Sequence, residues 1–178
     1  PDAEYYAIKI YYRTLKTDIE ILVRALDWAI HERMDVINLS LGTRNALHAE
    51  RFAPILDRAA KQGTLIVSAA ETESAVLLPG SMPGVLGVAL DWTCSRDTFR
   101  YTLSPSGPRW LASGYPRTLE GVPPNRNLYG VSFSVANMTG FVARALQGLE
   151  DTSINNVARL LREEASRLRA VRERSRTL

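Results

Sequence analysis

The chain has 178 residues, of which 46% are hydrophobic and 23% are charged, and its formal net charge is +3. This length suffices for one domain with a substantial core, and the composition is that of an ordinary globular protein. No apolar run approaches the roughly 20 residues that a helix needs to span a bilayer. The single cysteine, Cys94, excludes an internal disulfide and a metal site made of cysteines alone.

The first residues carry no recognisable targeting pattern. Pro1-Asp2-Ala3-Glu4 lacks the basic and apolar segments of a signal peptide. It also lacks a methionine, which predicts that the chain begins inside a longer protein. A single cysteine fits a reducing compartment, so the composition slightly favours a cytoplasmic location.

The first half of the chain predicts alternating strands and helices. The predicted elements are, in order, a strand at residues 5–12, a helix from 17 or 18 to 31, a strand at 36–40, a helix at 47–62 and strands at 64–68 and 85–90. Thr17 or Asp18 is expected to cap the first helix, and the second helix is expected to begin at Leu47 or at Pro54. Apolar strands that alternate with helices indicate a parallel sheet covered on both faces.

The sheet predicts where a ligand would bind. In an open α/β sheet the ligand site lies at the carboxyl ends of the strands. Ser40-Leu41-Gly42 and Ala69-Ala70 both follow predicted strands. We therefore expect these two segments to line the site.

The second half of the chain predicts loops, two short strands and two helices. Prolines and glycines dominate residues 91–129, with short strands expected at 99–101 and 110–112. The last helix is expected to start at Asp151 or Ser153 and to continue into a tail with six arginines and three glutamates between Arg162 and Arg176. Such a tail could touch nucleic acid, but no aromatic residue is interleaved with the arginines. A solvated helix is the favoured interpretation, and nucleic acid is disfavoured as a partner.

Residues 129–140, YGVSFSVANMTG, join a glycine turn to the start of a helix. Gly130 permits a sharp turn, and the apolar spacing from Ser132 onward predicts a mostly buried helix. A serine at a helix N-terminus is ordinarily a cap. It is also a place where a nucleophile meets backbone donors and the positive end of the helix dipole. The stretch alone leaves both roles open for Ser132.

Four segments in order, DVINLSLG at 35–42, Ala69-Ala70, PGSMPGV at 79–85 and the stretch at 129–140, resemble the subtilisin-like serine protease family (peptidase S8). The resemblance implies a three-layer α/β/α fold with a mostly parallel sheet, incomplete at its N-terminal side. It implies that residues 1–150 are a portion of a catalytic domain and that residues 151–178 are a helix and basic tail of the same domain. It also implies that Ser132 is the nucleophile and that Ser40, Leu41 and Gly42 bind substrate.

Serine hydrolysis needs a hydroxyl, a base and donors for the oxyanion. In the family the aspartate and histidine motifs precede the region that this chain covers. The resemblance therefore implies a missing N-terminal segment or a partner chain that carries them. Only His31 and His48 are present. His31 is expected to be exposed or to cap a helix, and His48 to be a surface residue near the site.

The oxyanion segment departs from the family pattern Ala-Ala-Gly-Asn, because this chain reads Ala69-Ala70-Glu71-Thr72. Thr72 would stand where the asparagine amide donates, with a shorter side chain. Glu71 replaces a glycine that lines the specificity pocket. Turned inward it would favour a basic substrate side chain; turned to solvent, the favoured interpretation, it would not.

These observations predict part of a serine endopeptidase that acts on a peptide or protein substrate and is inactive as an isolated chain. The alternative is a catalytically inactive subtilisin-like protein used for binding or scaffolding, favoured by Glu71 and Thr72. No cofactor or metal is expected, because Asp91, Asp97 and Glu120 lack the spacing of a calcium loop.

Overall fold

A computed structural model describes residues 3–123 and 126–174, with side chains up to residue 171. Its helices and strands follow in chain order: α1 (Ile19–His31), β1 (Val36–Leu39), α2 (Ala49–Gln62), β2 (Leu65–Ala69), β3 (Glu71–Thr72), β4 (Ala75–Val76), β5 (Leu86–Leu90), β6 (Phe99–Ser104), β7 (Gly107–Ala112), α3 (Val131–Leu146) and α4 (Ile154–Arg174). A 3-10 turn at Ala46–His48 precedes α2. No helix in these ranges is long and apolar enough to cross a membrane.

In the part of the chain that the structure describes, the main sheet has five strands in the order β1-β2-β5-β7-β6. The pairings β1–β2, β2–β5 and β5–β7 are parallel, and β6 runs antiparallel to β7. A separate small hairpin, β3–β4, follows β2. The predicted α/β fold with a mostly parallel sheet is confirmed.

Helices cover both faces of the sheet, because its central strands are apolar on both sides. All five residues of β2 are buried, and they alternate between two cores. Leu65, Val67 and Ala69 pack in a core with α3 and α4. Ile66 points the other way into a core with α1 and α2. This alternation produces three layers.

The helix ends follow the local sequence. The Asp18 carboxylate accepts a hydrogen bond from the Ile21 N–H (2.8 Å) and caps α1. Gly63 ends α2 in the left-handed region, with φ of 80°, which a residue with a side chain rarely adopts. Pro54 lies inside α2, so the alternative start of this helix at Pro54 is wrong. Before α4, the Asp151 carboxylate accepts from the Ser153 N–H (2.9 Å), and this bond holds the pKa of Asp151 below its ordinary value.

The strand predicted at residues 5–12 is wrong. This segment is irregular, and Tyr5, Tyr6 and Tyr12 are largely exposed. Its composition suits a strand, but a strand also needs a neighbouring edge to bond. Within residues 3–123 and 126–174, β1 pairs only with β2, and this segment does not pair with the free edge of β1.

The turn after β5 is organised by a buried carboxylate. Asp91 accepts hydrogen bonds from the Thr93 N–H (2.9 Å) and hydroxyl (2.8 Å), and from the thiol of buried Cys94 (3.2 Å). Arg100, on β6, forms an ion pair with the same carboxylate. These bonds fix the connection between β5 and β6.

Candidate active site

Ser132 lies at the start of α3, at the carboxyl edge of the sheet. The helix is capped by Gly130, with φ of 137°, whose N–H donates to the Gly114 carbonyl (2.9 Å). Ser132 is therefore the second residue of the helix, and the interpretation of Ser132 as the N-cap is wrong. Its side chain is exposed, and its hydroxyl donates to the Ser40 carbonyl at 3.3 Å.

A set of polar contacts holds the start of α3 over the end of β1. The Ser40 hydroxyl donates back to the Ser132 carbonyl (3.2 Å), across 92 residues of chain. The Asn38 side-chain amide donates to the Ser40 hydroxyl (2.9 Å), and its Oδ1 accepts from the Thr139 hydroxyl (2.9 Å). Ser132 and the segment expected to bind substrate are thus neighbours.

Neither histidine is bonded to Ser132. His31 is the exposed last residue of α1, beside Trp28 and Arg58 in a surface cleft. His48 lies in the 3-10 turn, with Nε2 3.3 Å from the Asn45 amide nitrogen. It lines a cleft of about 420 Å³ beside Leu41 and Gly42.

Glu71 is engaged by a buried cation that sequence reasoning did not identify. Arg109, on β7, is 1% exposed, and its Nε donates to the Glu71 carboxylate at 2.9 Å. Its other nitrogens donate to the Pro108 carbonyl (2.9 Å) and to the hydroxyl (2.7 Å) and carbonyl (3.2 Å) of Ser106. The Glu71 carboxylate is therefore neutralised in place. No signal in the sequence pairs two residues that are 38 positions apart.

The remaining expected site residues lie at the end of β2 and just beyond. Ala69 and Ala70 are 1% and 0% exposed, so their methyl groups face the interior. Thr72 lies in β3, opposite Ala75, and is exposed. Among the described residues, no three His, Cys, Asp or Glu side chains group together as a metal site.

An aromatic cluster next to the start of α3 was also missed. Trp92 packs against two tyrosines. Its ring centroid lies 5.2 Å from that of Tyr115 and 5.9 Å from that of Tyr129. The Asn137 amide, on α3, donates to the Ser113 (2.9 Å) and Tyr115 (3.1 Å) carbonyls and ties the helix to this cluster. Trp92 lies in the connection between β5 and β6, and both tyrosines lie in the connection between β7 and α3, so only the fold brings the three rings together.

Fold and site together define an α/β protein that presents a serine hydroxyl at the ligand edge of a parallel sheet. The family model described as Subtilase family (Peptidase_S8) matches residues 1–177, and the chain belongs to this family.

Two curated relatives that match part of the chain are proteases. The chain is 35% identical over 69 residues to the minor extracellular protease Epr of Bacillus subtilis (strain 168), covering 39% of this chain and 10% of that protein. It is 31% identical over 102 residues to a thermostable alkaline protease of Halalkalibacterium halodurans, covering 56% of this chain and 28% of that protein. The matched regions thus span less than a third of these relatives.

Solved structures share the fold. The prenylagaramide maturation protease PagA aligns with a TM-score of 0.56 and 21% identity, over 78% of this chain and 53% of that one. A lanthipeptide protease aligns with a TM-score of 0.58 and 18% identity, over 83% of this chain and 59% of that one. The chain therefore corresponds to little more than half of each neighbour.

Proposed function

We propose that this chain is the nucleophile-bearing part of a subtilisin-like serine endopeptidase, with Ser132 attacking the carbonyl of a peptide or protein substrate. The observation that carries the proposal is the position of Ser132. Its hydroxyl is exposed at the N-terminal end of α3 and lies 3.3 Å from the Ser40 carbonyl, at the edge of the sheet where parallel α/β folds bind ligands.

The surroundings of Ser132 suit acyl transfer in part. The first N–H groups of a helix are not used inside the helix, and together with the helix dipole they stabilise negative charge. They would act on the oxyanion that forms when Ser132 attacks. Thr72 is proposed as a weaker second donor in place of an asparagine. In a subtilisin, loss of one such donor raises the barrier by about 2.7–4 kcal/mol, and that scale is borrowed for Thr72.

The base and its orienting aspartate are proposed to come from sequence or a chain outside these 178 residues. Support comes from β1, which pairs on one side only in the described part of the chain. An unpaired edge presents backbone donors and acceptors that another strand can bond. The irregular segment before α1 exposes Tyr5 and Tyr12, at 93% and 81%. Apolar surface of this kind favours association with a further segment.

The alternative proposal is a catalytically inactive family member that binds peptides without cleaving them. It is supported by the Ser132 hydroxyl, which donates to a carbonyl oxygen and not to a base. It is also supported by Glu71, the residue directly before Thr72. The Glu71 carboxylate forms an ion pair with Arg109. The two proposals differ in whether Ser132 becomes nucleophilic in the assembled protein.

Labelling with a fluorophosphonate probe tests both proposals. The chain would be labelled alone and together with its upstream segment, with Ser132→Ala as the negative control. Ser134→Ala is the matched control, because Ser134 lies two residues further on but is buried. We expect labelling of the assembled protein, retained in Ser134→Ala and abolished in Ser132→Ala.

Labelling of the isolated chain would mean that His31 or His48 serves as the base. Absence of labelling in the assembled and folded protein would reject the peptidase and favour the binding protein. Peptide cleavage by the assembled protein, measured with the same variants, would confirm the activity.

A further inference from the structure

We propose that Asn137 is a positioning residue for Ser132, because its side-chain amide clamps the loop that holds the N-terminal end of α3. This inference rests on the function proposed for Ser132 and adds a residue that sets the position of the nucleophile. Asn137 lies in the second turn of the same helix. It acts on Ser132 through the backbone of this loop and not on the reacting atoms.

The start of α3 lacks the usual side-chain cap. A Ser, Thr, Asp or Asn at the N-cap position normally accepts a hydrogen bond from one of the first N–H groups of a helix. The N-cap of α3 is Gly130, which has no side chain that could accept such a bond. Helix ends fray when their backbone groups are not held. Ser132 lies in this first turn, so other contacts have to fix its position.

One such contact comes from Gly114, in the loop that joins β7 to α3. The Gly130 N–H donates to the Gly114 carbonyl at 2.9 Å, and the Gly130 carbonyl accepts from the Phe133 N–H at 3.0 Å. Ser132 lies in the chain between Gly130 and Phe133. A displacement of the Gly114 carbonyl therefore moves the backbone that carries the serine.

Asn137 binds the residues on both sides of Gly114. Its amide nitrogen donates to the Ser113 carbonyl at 2.9 Å and to the Tyr115 carbonyl at 3.1 Å, which uses both amide protons. The Gly114 carbonyl lies between these two along the chain and accepts from Gly130. The contacts thus form a closed ring that leaves α3 at Asn137 and returns to it at Gly130.

Trp92 limits the movement of Gly114 as well. A Cβ built on Gly114 would lie 2.9 Å from the Trp92 ring and 2.2 Å from the Leu90 Cδ1. These side chains therefore pack directly on the glycine backbone. Packing restrains the loop against β5 and its following turn, whereas the Asn137 amide ties the same loop to α3.

The direct bonds of Ser132 are too long to fix it alone. Hydroxyl hydrogen bonds are typically about 2.5–3.0 Å long. The two bonds that join Ser132 and Ser40 measure 3.2 Å and 3.3 Å. A misplacement of roughly 1 Å in a reacting group can slow a reaction about 100-fold. The clamp by Asn137 is therefore expected to change the reactivity of Ser132 and not only the stability of the helix.

Hydrogen exchange at the Gly130 amide, measured by NMR on the full chain, tests the clamp without requiring turnover. Asn137→Ala removes both bonds, Asn137→Asp keeps the shape but turns an acceptor toward the two carbonyls, and Asn137→Gln retains an amide. Asn156→Ala is the matched control, because the Asn156 amide also donates to a backbone carbonyl, that of Asp151 (2.7 Å), at the start of α4. Circular dichroism would verify folding of each variant.

We expect the Gly130 amide to exchange about tenfold faster or more in Asn137→Ala and Asn137→Asp, with partial recovery in Asn137→Gln. The amide of Val67, in the buried centre of β2, should exchange at an unchanged rate. Asn156→Ala should leave Gly130 unaffected. Equal acceleration at Gly130 and Val67 would show a general loss of stability and overturn the inference. Unchanged exchange at Gly130 in folded Asn137→Asp would overturn it too.

Fluorophosphonate labelling of the assembled protein tests the consequence for Ser132. Asn137→Ala and Asn137→Asp should slow labelling about tenfold or more and lower kcat for peptide cleavage, with KM changed less than about twofold. Asn137→Gln should recover part of the rate, and Asn156→Ala should keep it. An unchanged labelling rate in Asn137→Ala would reject the positioning role. Absence of labelling in the unchanged assembled protein would reject the proposed function instead, and Gly130 exchange would still decide whether Asn137 holds this end of α3.

Discussion

At the scale of single residues, Arg109 and Glu71 are unequal partners. Arg109 keeps only 2% of its side chain exposed, whereas Glu71 keeps 33%. If the pair were broken, water could still solvate the partly exposed Glu71 carboxylate. Water could not solvate the buried Arg109 guanidinium. The pair therefore anchors the segment after β2 to β7, and the anchor depends on the carboxylate.

We predict that Glu71→Gln lowers the free energy of unfolding by about 3 kcal/mol, because it leaves Arg109 as an uncompensated buried charge. Arg109→Met in the Glu71→Gln background should recover part of this loss, since methionine fills similar space without a charge. Urea denaturation at constant pH measures both values. Equal stability of Glu71→Gln and the unchanged protein would show that Ser106 and Pro108 alone satisfy the cation.

The sequence predicted that Ser132 lies at the start of a helix, but it did not predict the groups around this serine. Ser132 stands in a local motif, so its position at a helix start could be predicted from neighbouring residues. Arg109 and Trp92 act through contacts with distant segments, and these contacts depend on the register of β5 and β7. The same limit applies to Asn137, whose polar character gives no indication that it binds the carbonyls of Ser113 and Tyr115.

At the scale of secondary structure elements, the interior of α3 contains a glycine whose position also has room for a side chain. Gly140 lies in the middle of the helix, and a Cβ added there would meet nothing within 4 Å. A glycine inside a helix loses more backbone entropy on folding than an alanine does.

We predict that Gly140→Ala raises the free energy of unfolding by about 0.5–1 kcal/mol. Gly80→Ala is the opposing control, because its Cβ would lie 2.0 Å from a backbone oxygen and should destabilise strongly. Thermal and urea unfolding of both variants would measure the changes. A destabilised Gly140→Ala would indicate that another segment packs closely on this face of α3.

Long periodic elements were predicted well, and elements that depend on a neighbour were not. The spacing of apolar residues located α1, α2, α3 and α4 within a few residues. The β3–β4 hairpin has two-residue strands, which are too short for any alternation to register. Residues 5–12 show the converse, since a strand-like composition produced no strand although one edge of β1 is unpaired in the described part of the chain.

At the scale of the whole molecule, one side of the sheet is unfinished in the described part of the chain. The edge of β1 is unpaired there, and the segment before α1 exposes three tyrosines, Tyr5, Tyr6 and Tyr12. An unpaired strand edge and exposed aromatic groups each favour association with a partner or a second copy.

We predict that replacing Tyr5, Tyr6 and Tyr12 with serine reduces association of the chain and leaves its stability within about 0.5 kcal/mol per substitution. Sedimentation at several concentrations measures association, and urea denaturation measures stability. Tyr101→Ser is the contrasting control, because this ring packs on Trp110 with centroids 4.9 Å apart and should be needed for folding. Unchanged sedimentation of the triple variant would show that association does not involve this segment.

The buried thiol of Cys94 is a chemical probe of local opening in this protein. It is the single cysteine of the chain, it is 4% exposed, and it is held by Asp91 in the turn between β5 and β6. A bulky thiol reagent can reach it only during transient opening of that turn. When reclosing is faster than the reaction, the modification rate follows the population of the open form; when it is slower, the rate follows the opening step itself. In the second regime each chain is modified at its first opening, so the reaction measures how often the turn between β5 and β6 opens.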